Sequence, residues 1–231
     1  MKKISAIVLF IAIIFAFNNN SYAQKKGKPF AGKIIFSMTY EGVEASQAAQ
    51  MPTTQTTLIL GNKQKTTVDY GQAAQIVIAD GDVETMMIYI DIMGQKFLIK
   101  QSKTQIDSIR NAQPKPIITY SDETKEIAGY KCKKAVIAYK DAETGEESQN
   151  IVWYTEDLNV GEKINFTGEA EGIKGFALAT EVKNGKITIK SVAKEIKKEK
   201  VSDIEFLQPA DAKELTGEEF RKMFGGGGDE E

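Results

Sequence analysis

From residue 31 onward the chain alternates apolar and polar side chains with the period of two that marks β-strands, not the 3.6 of helices. Ile34, Phe36, Met38 and Tyr40 fall on one face of the first run, with Lys33, Ile35, Ser37 and Thr39 opposite. Three turn dipeptides punctuate the rest of the chain. Gly61-Asn62 separates runs at 56–60 and 63–70, Asp80-Gly81 separates 75–79 from 83–93, and Asn184-Gly185 separates 177–183 from 186–196. Such dipeptides suit the positive φ angles of tight hairpins, so the pattern predicts a meandering antiparallel sheet. Helices are few: one over 102–112, stopped by Pro114 and Pro116, and one near the end, where Thr216 and Glu219 fit a capping box ahead of Phe220, Met223 and Phe224.

Two runs break the simple alternation. In 83–93, Met86, Ile88, Ile90 and Ile92 form one face, while Val83, Met87, Tyr89 and Met93 make the other nearly as apolar, interrupted by Thr85 and Asp91. A strand apolar on both faces needs a second layer or a ligand against each. In 186–196 the apolar phase shifts between Ile187, Ile189 and Val192, Ile196, as a β-bulge produces, and bulges bend sheets. The expected fold class is mainly β: a curved antiparallel sheet, a half-barrel, with one or two short helices. Trp153 and Tyr154 fall on opposite faces of a later strand, so one of them points away from the core.

The N-terminus changes the picture of where this sheet works. Lys2 and Lys3, an apolar stretch at 4–17 and Ser21-Tyr22-Ala23 read as a secretory leader, residues 1–23, cleaved after Ala23. The stretch is shorter than the roughly 20 apolar residues that cross a bilayer as a helix, and no second one occurs downstream, so no transmembrane anchor is expected. Gln24 stands where a lipoprotein would carry its acylated cysteine. The expected location is periplasmic or secreted. Residues 24–224 are then expected to form a single curved β domain, and 225–231, Gly-rich and acidic, a flexible tail.

Charge and chemistry mostly exclude. The net charge of -2 becomes more negative once Lys2 and Lys3 leave, which disfavours nucleic acid as a partner. Histidine is absent, which removes Ser-His-Asp and Cys-His pairs and His-ligated metals. The single cysteine, Cys132, builds no internal disulfide and no redox pair. It shares strand parity with Tyr130, Val136 and Ala138 and reads as a small buried hydrophobe, the alternative being a reactive thiol among Lys131, Lys133 and Lys134. Asp80-Gly81-Asp82 is turn chemistry, not a calcium loop. Glu156, Asp157, Glu169 and Glu171 could serve a carboxylate hydrolase, with surface solubility as the default. No metal, cofactor or catalytic residue is expected.

The order of motifs FAGKIIFSMTYEG, ETKEIAGYKCKKA, VWYTEDL, EGIKGFAL and VSDIEFLQP resembles exported Gram-negative families typed as domains of unknown function, in particular domain of unknown function 4412. It is also similar to the GLPGLI family, departing from it at Glu171-Gly-Ile-Lys-Gly-Phe-Ala-Leu178, where that group carries its namesake motif. The resemblance implies a fold like the lipoprotein carriers, half-barrels that hold acyl chains on their concave side. Two functional readings result. In the first, a non-enzymatic envelope protein binds a lipid or acyl chain, with Met87, Tyr89 and Met93 on the concave face and few polar groups involved. In the second, the concave face is filled by the protein's own helix, and an envelope protein partner docks at a sheet edge.

Overall fold

The computed structural model describes residues 27–112, 115–140, 147–168 and 170–224. The leader at 1–23, the tail at 225–231 and Glu169 lie outside the described residues. Among the described residues, twelve strands form one open, curved sheet. In chain order they are β1 (Ala31–Glu41), β2 (Thr54–Leu60), β3 (Lys63–Asp69), β4 (Ala73–Asp80), β5 (Thr85–Ile92) and β6 (Gln95–Gln101), then β7 (Ile117–Ile127), β8 (Tyr130–Lys140), β9 (Glu147–Thr155), β10 (Phe176–Asn184), β11 (Ile187–Lys198) and β12 (Lys213–Glu214). Three short α-helices accompany them among the described residues: α1 (Ala45–Ala48), α2 (Lys103–Ala112) and α3 (Gly217–Phe224).

The spatial order is β12-β6-β5-β4-β3-β2-β1-β11-β10-β9-β8-β7. Two antiparallel meanders, β1 to β6 and β7 to β11, are thus joined at the central pair β1–β11. The turns at Gly61-Asn62, Asp80-Gly81 and Asn184-Gly185 fall where the dipeptides placed them, and Gly61 and Gly185 take the positive φ angles expected. The anticipated bulge is also present: the β1–β11 register slips between Ile35 and Phe36, which pair with Glu195 and Ala193. One strand departs from the antiparallel expectation, since β12 runs parallel to β6 at Lys213–Phe97 and Glu214–Leu98.

The topology gives α2 its place. β6 ends at one side of the sheet and β7 forms its opposite edge, so the connection must cross the open mouth of the half-barrel, and α2 is that connection. Ten residues of helix span about 15 Å. Ile106 is its buried anchor. The capping box at the last helix forms as its sequence implies. Thr216 Oγ1 accepts from the Glu219 amide at 3.1 Å, and Glu219 accepts from the Thr216 amide at 2.7 Å.

Inside one end of the half-barrel the core is dry. Phe30, Ile34, Ile59, Ile164 and Leu178 are buried together there, and Cys132 sits among them with no exposed surface. Its thiol is 3.6 Å from the Tyr130 carbonyl, and burial pushes its pKa up to about 11. This is the packing role, not the reactive one. Of the two aromatic neighbours on β9, Tyr154 is buried against Ala135, Ile137 and Val152. Trp153 points the other way and carries Lys125 Nζ 4.1 Å from the centre of its ring.

Candidate functional site

Beyond the dry end, the concave face leaves a cavity of about 470 Å³. Directly opposed residues of antiparallel strands share a face, and the registers identify which residues form the inner one. Phe36, Gln55, Val68 and Gln75 lie in one row and Thr57, Thr66 and Val77 in the next. Gln64, Ala79 and Met86 make a third. All of these residues border the cavity. From the other meander come Ile189 with Val182 and Ser191 with Thr180.

The polar members cluster on the floor. Thr57 and Thr66 hydroxyls lie 3.1 Å apart, and Gln55 Nε2 donates to Thr57 Oγ1 at 3.5 Å. Gln64 Nε2 donates to the Ile164 carbonyl at 3.2 Å, tying the floor to the segment that roofs it. That roof is the long β9–β10 connection, whose Asn165, Thr167, Gly168 and Ala170 face the cavity. Asn165 Nδ2 holds the connection in shape by donating to the carbonyls of Ile173 and Gly175 at 2.9 and 2.8 Å. Its start is clamped to the β2–β3 hairpin turn: the Gly161 amide donates to Gly61 O at 2.9 Å and the Lys163 amide to Asn62 Oδ1 at 2.9 Å. A Cβ on Gly81 would lie 2.3 Å from the Lys163 carbonyl, so this close approach requires glycine there.

A second cavity of about 350 Å³ adjoins the first, sharing Met86, Thr167 and Gly168 and adding Ile106, Ile109 and Arg110 of α2. Here α2 is fastened to the roof. Arg110 donates to Glu171 at 2.5 Å, to Asp107 at 2.7 Å and to the Phe166 carbonyl at 2.6 Å. Lys103 bonds Glu84 and lies 3.0 Å from Asp107, and Glu84 in turn accepts from Lys163 at 2.9 Å. A continuous ionic chain therefore links the β4–β5 turn, α2 and the β9–β10 connection. Hydrogen bonds from Lys103 first, then Lys163, lower the Glu84 carboxyl to about 2.

The residues proposed from sequence sit elsewhere. Met87 pairs with Ile78, Ile78 with Lys65, and Lys65 with Leu58. Met87 is thus in a row with Lys65 and Lys100 on the outer face, and Tyr89 lies in the next outer row, opposite Leu98. Met93 is in the β5–β6 turn with φ of 52° and is 76% exposed. The concave partner from β5 is Met86 instead. Both faces of β5 are apolar because each is covered, so its own pattern does not choose between them. The hairpin registers do: they connect Met87 to two lysines. The residues that sequence reasoning missed, Thr57, Thr66, Gln75 and Arg110, carry the weaker signal of lying opposite those lysine rows or at a helix end. The expectation of few polar groups is corrected as well, because the floor is rich in hydroxyls and amides.

Tyr89 is nevertheless buried, and so are Ile78 and Leu98. The chain after β11 crosses this outer face. Asp203 and Glu205, in a 3-10 turn at Asp203–Phe206, pair with Lys63 at 2.6 Å and Lys65 at 3.7 Å. Phe206 and Leu215 are buried, and the Leu215 amide donates to Leu98 O at 2.9 Å. Of the carboxylates considered for hydrolysis, Glu171 is held by Arg110 and Glu156 lies 3.7 Å from Lys133. Among the described residues no helix is long and apolar enough to cross a membrane.

Comparison with known proteins finds structural likeness at low identity. The fold is similar to LprF from Mycobacterium bovis, with a TM-score of 0.32 and 8% identity over 77% of this chain and 89% of that one. It is similar to a DUF1329 family protein from Desulfovibrio piger, with a TM-score of 0.32 and 12% identity over 77% and 88%. A beta-barrel-like protein of domain of unknown function DUF1849 from Brucella abortus gives a TM-score of 0.27 and 9% identity over 75% and 99%. No family model matches the chain, and no curated protein does. The resemblance to domain of unknown function 4412 and to the GLPGLI family is one of motifs, and these comparisons do not show either family.

Proposed function

We propose that this is a non-enzymatic, exported cell-envelope protein that shelters a lipid or acyl chain on the concave face of its half-barrel. The observation that carries the reading is the cavity of about 470 Å³ left between the inner rows and the β9–β10 roof. Its size falls within the roughly 300–1,000 Å³ of small-molecule pockets. Among the described residues, none of those lining it belongs to α2, so the helix straps the mouth without filling the trough. Apolar wall residues such as Phe36, Met38, Val77, Met86, Val182 and Ile189 supply the burial that binds a chain, at about 25 cal/mol per Å² removed from water.

The test is native mass spectrometry and organic extraction of protein purified from its own cell envelope. A copurifying lipid that is lost in Ala79→Trp, which fills the cavity, is the expected result. A lipid-free wild-type protein that also takes up none on incubation with envelope extracts refutes the reading. The interaction reading would then stand on β7, an eleven-residue edge strand with Ile117 and Tyr120 exposed.

A further inference from the structure

The chemistry of the cavity selects among apolar ligands. Resting on the acyl-binding reading, we infer that the trough takes acyl compounds whose polar part is uncharged, an ester, amide or hydroxyl, and rejects free carboxylates. Among the described residues, none that lines the larger cavity is ionisable. In the adjoining cavity the cation is Arg110, and three acceptors already occupy it: Glu171, Asp107 and the Phe166 carbonyl. An anion seated on the floor would meet no free positive charge among these residues, and a buried charge without a partner is strongly disfavoured.

The floor does offer neutral hydrogen bonding. In the Thr57–Thr66 pair only one hydroxyl proton lies between the two oxygens, which leaves the other for a ligand acceptor. Gln55 and Gln64 each spend a donor on the protein and retain a second amide proton. Gln75 lies one row along on the same face. These groups occupy β2 to β4, between apolar walls: Val77, Ala79 and Met86 on one side, Phe36, Met38 and Ile189 on the other. A carbonyl or hydroxyl at the middle of the trough with hydrocarbon on either side satisfies both surfaces at once.

Monolaurin and laurate share one acyl chain and differ in the head, a neutral glycerol ester against a carboxylate, so titrating each into the full mature chain at pH 8, with methyl laurate as the neutral ester that lacks the glycerol hydroxyls, tests the effect of that charge. Monolaurin is expected to bind at least tenfold more tightly. Gln75→Lys, which places a cation on the floor, is expected to raise laurate affinity at least tenfold. Thr66→Val, which keeps the shape and removes the hydroxyl, is expected to weaken monolaurin severalfold and leave laurate unchanged; circular dichroism verifies that each variant is folded. Laurate binding as tightly as monolaurin to the wild-type protein overturns the inference while leaving the trough occupied by acyl chains. Binding of neither compound overturns it together with the reading on which it rests.

Discussion

The two faces of the strands β3 to β6 are built to different standards. On the outer face Ile78, Tyr89 and Leu98 are buried under the protein's own C-terminal segment, whereas on the inner face Thr66, Gln75 and Val77 remain half-buried around open space. The same alternating strands serve both, and the same hairpins set both registers. What differs is the cover: residues 199–215 close the convex side, while the concave side has a roof and a strap with room left beneath. Apolar residues on both sides of a strand therefore do not identify a binding face. The face to suspect is the one whose polar members lack charge and whose neighbours fail to fill it.

Truncations measure this difference most directly. Leu98→Ala removes a side chain with no exposed surface and is expected to cost about 2–5 kcal/mol, whereas Val77→Ala beside the cavity is expected to cost under about 1.5 kcal/mol. Urea denaturation of both variants checks the ordering, and equal losses would mean that the inner face is as well packed as the outer. At the dry end of the trough, Cys132→Ser puts a hydroxyl into the apolar core and is expected to cost about 1–3 kcal/mol. With the thiol raised to about 11 from its ordinary 9.0, its contribution is intact below pH 9 and is lost as pH rises through 11. Ellman's reagent at pH 8 is accordingly expected to modify Cys132 only after unfolding.

The strap is a smaller matter for global stability. Arg110 and Glu171 are about one-third exposed, so Arg110→Ala is expected to cost only about 1 kcal/mol. Its clear readout is hydrogen exchange, with faster exchange in 161–175 and no change in β2 or β3. Smallest of all is the acid response of the ionic chain. The Glu84 carboxyl is lowered to about 2 from 4.5, so the contribution is complete above pH 4.5 and lost as pH falls through 2. Exchange in the same connection is expected to be flat from neutrality to pH 4.5 after correction for the intrinsic rate, with Glu84→Gln removing any change below that.

Strands β1 to β5 and β8 to β11, three of the hairpin turns, the bulge and both predicted helices were legible because each has a local cause, alternation, a turn dipeptide, a phase shift or a capping box, whereas β6, β7 and β12 were not read. The site was harder because its position depends on pairings between distant segments. Met86 was distinguishable from Met87 only by carrying two hairpin registers through to Lys65. The cover over Tyr89 comes from residues more than a hundred positions later, and nothing in the local pattern of β5 announces it. Arg110 looked like an ordinary helix-terminal cation. Only the crossing of α2 from the end of β6 toward the β7 edge brings it to Glu171 and the Phe166 carbonyl.

The central pairing of β1 with β11 also bears on how the molecule is made. A chain emerging N-terminus first can zip β1 through β6 by nearest-neighbour hairpins, yet β1 then waits with one bare edge until the eleventh strand arrives, about 150 residues later. During that interval the side of β5 and β6 destined for Phe206 and Leu215 is wet. Pairing β11 with β1 closes the widest loop of the sheet, so it is expected to be the slow step that stopped-flow refolding detects.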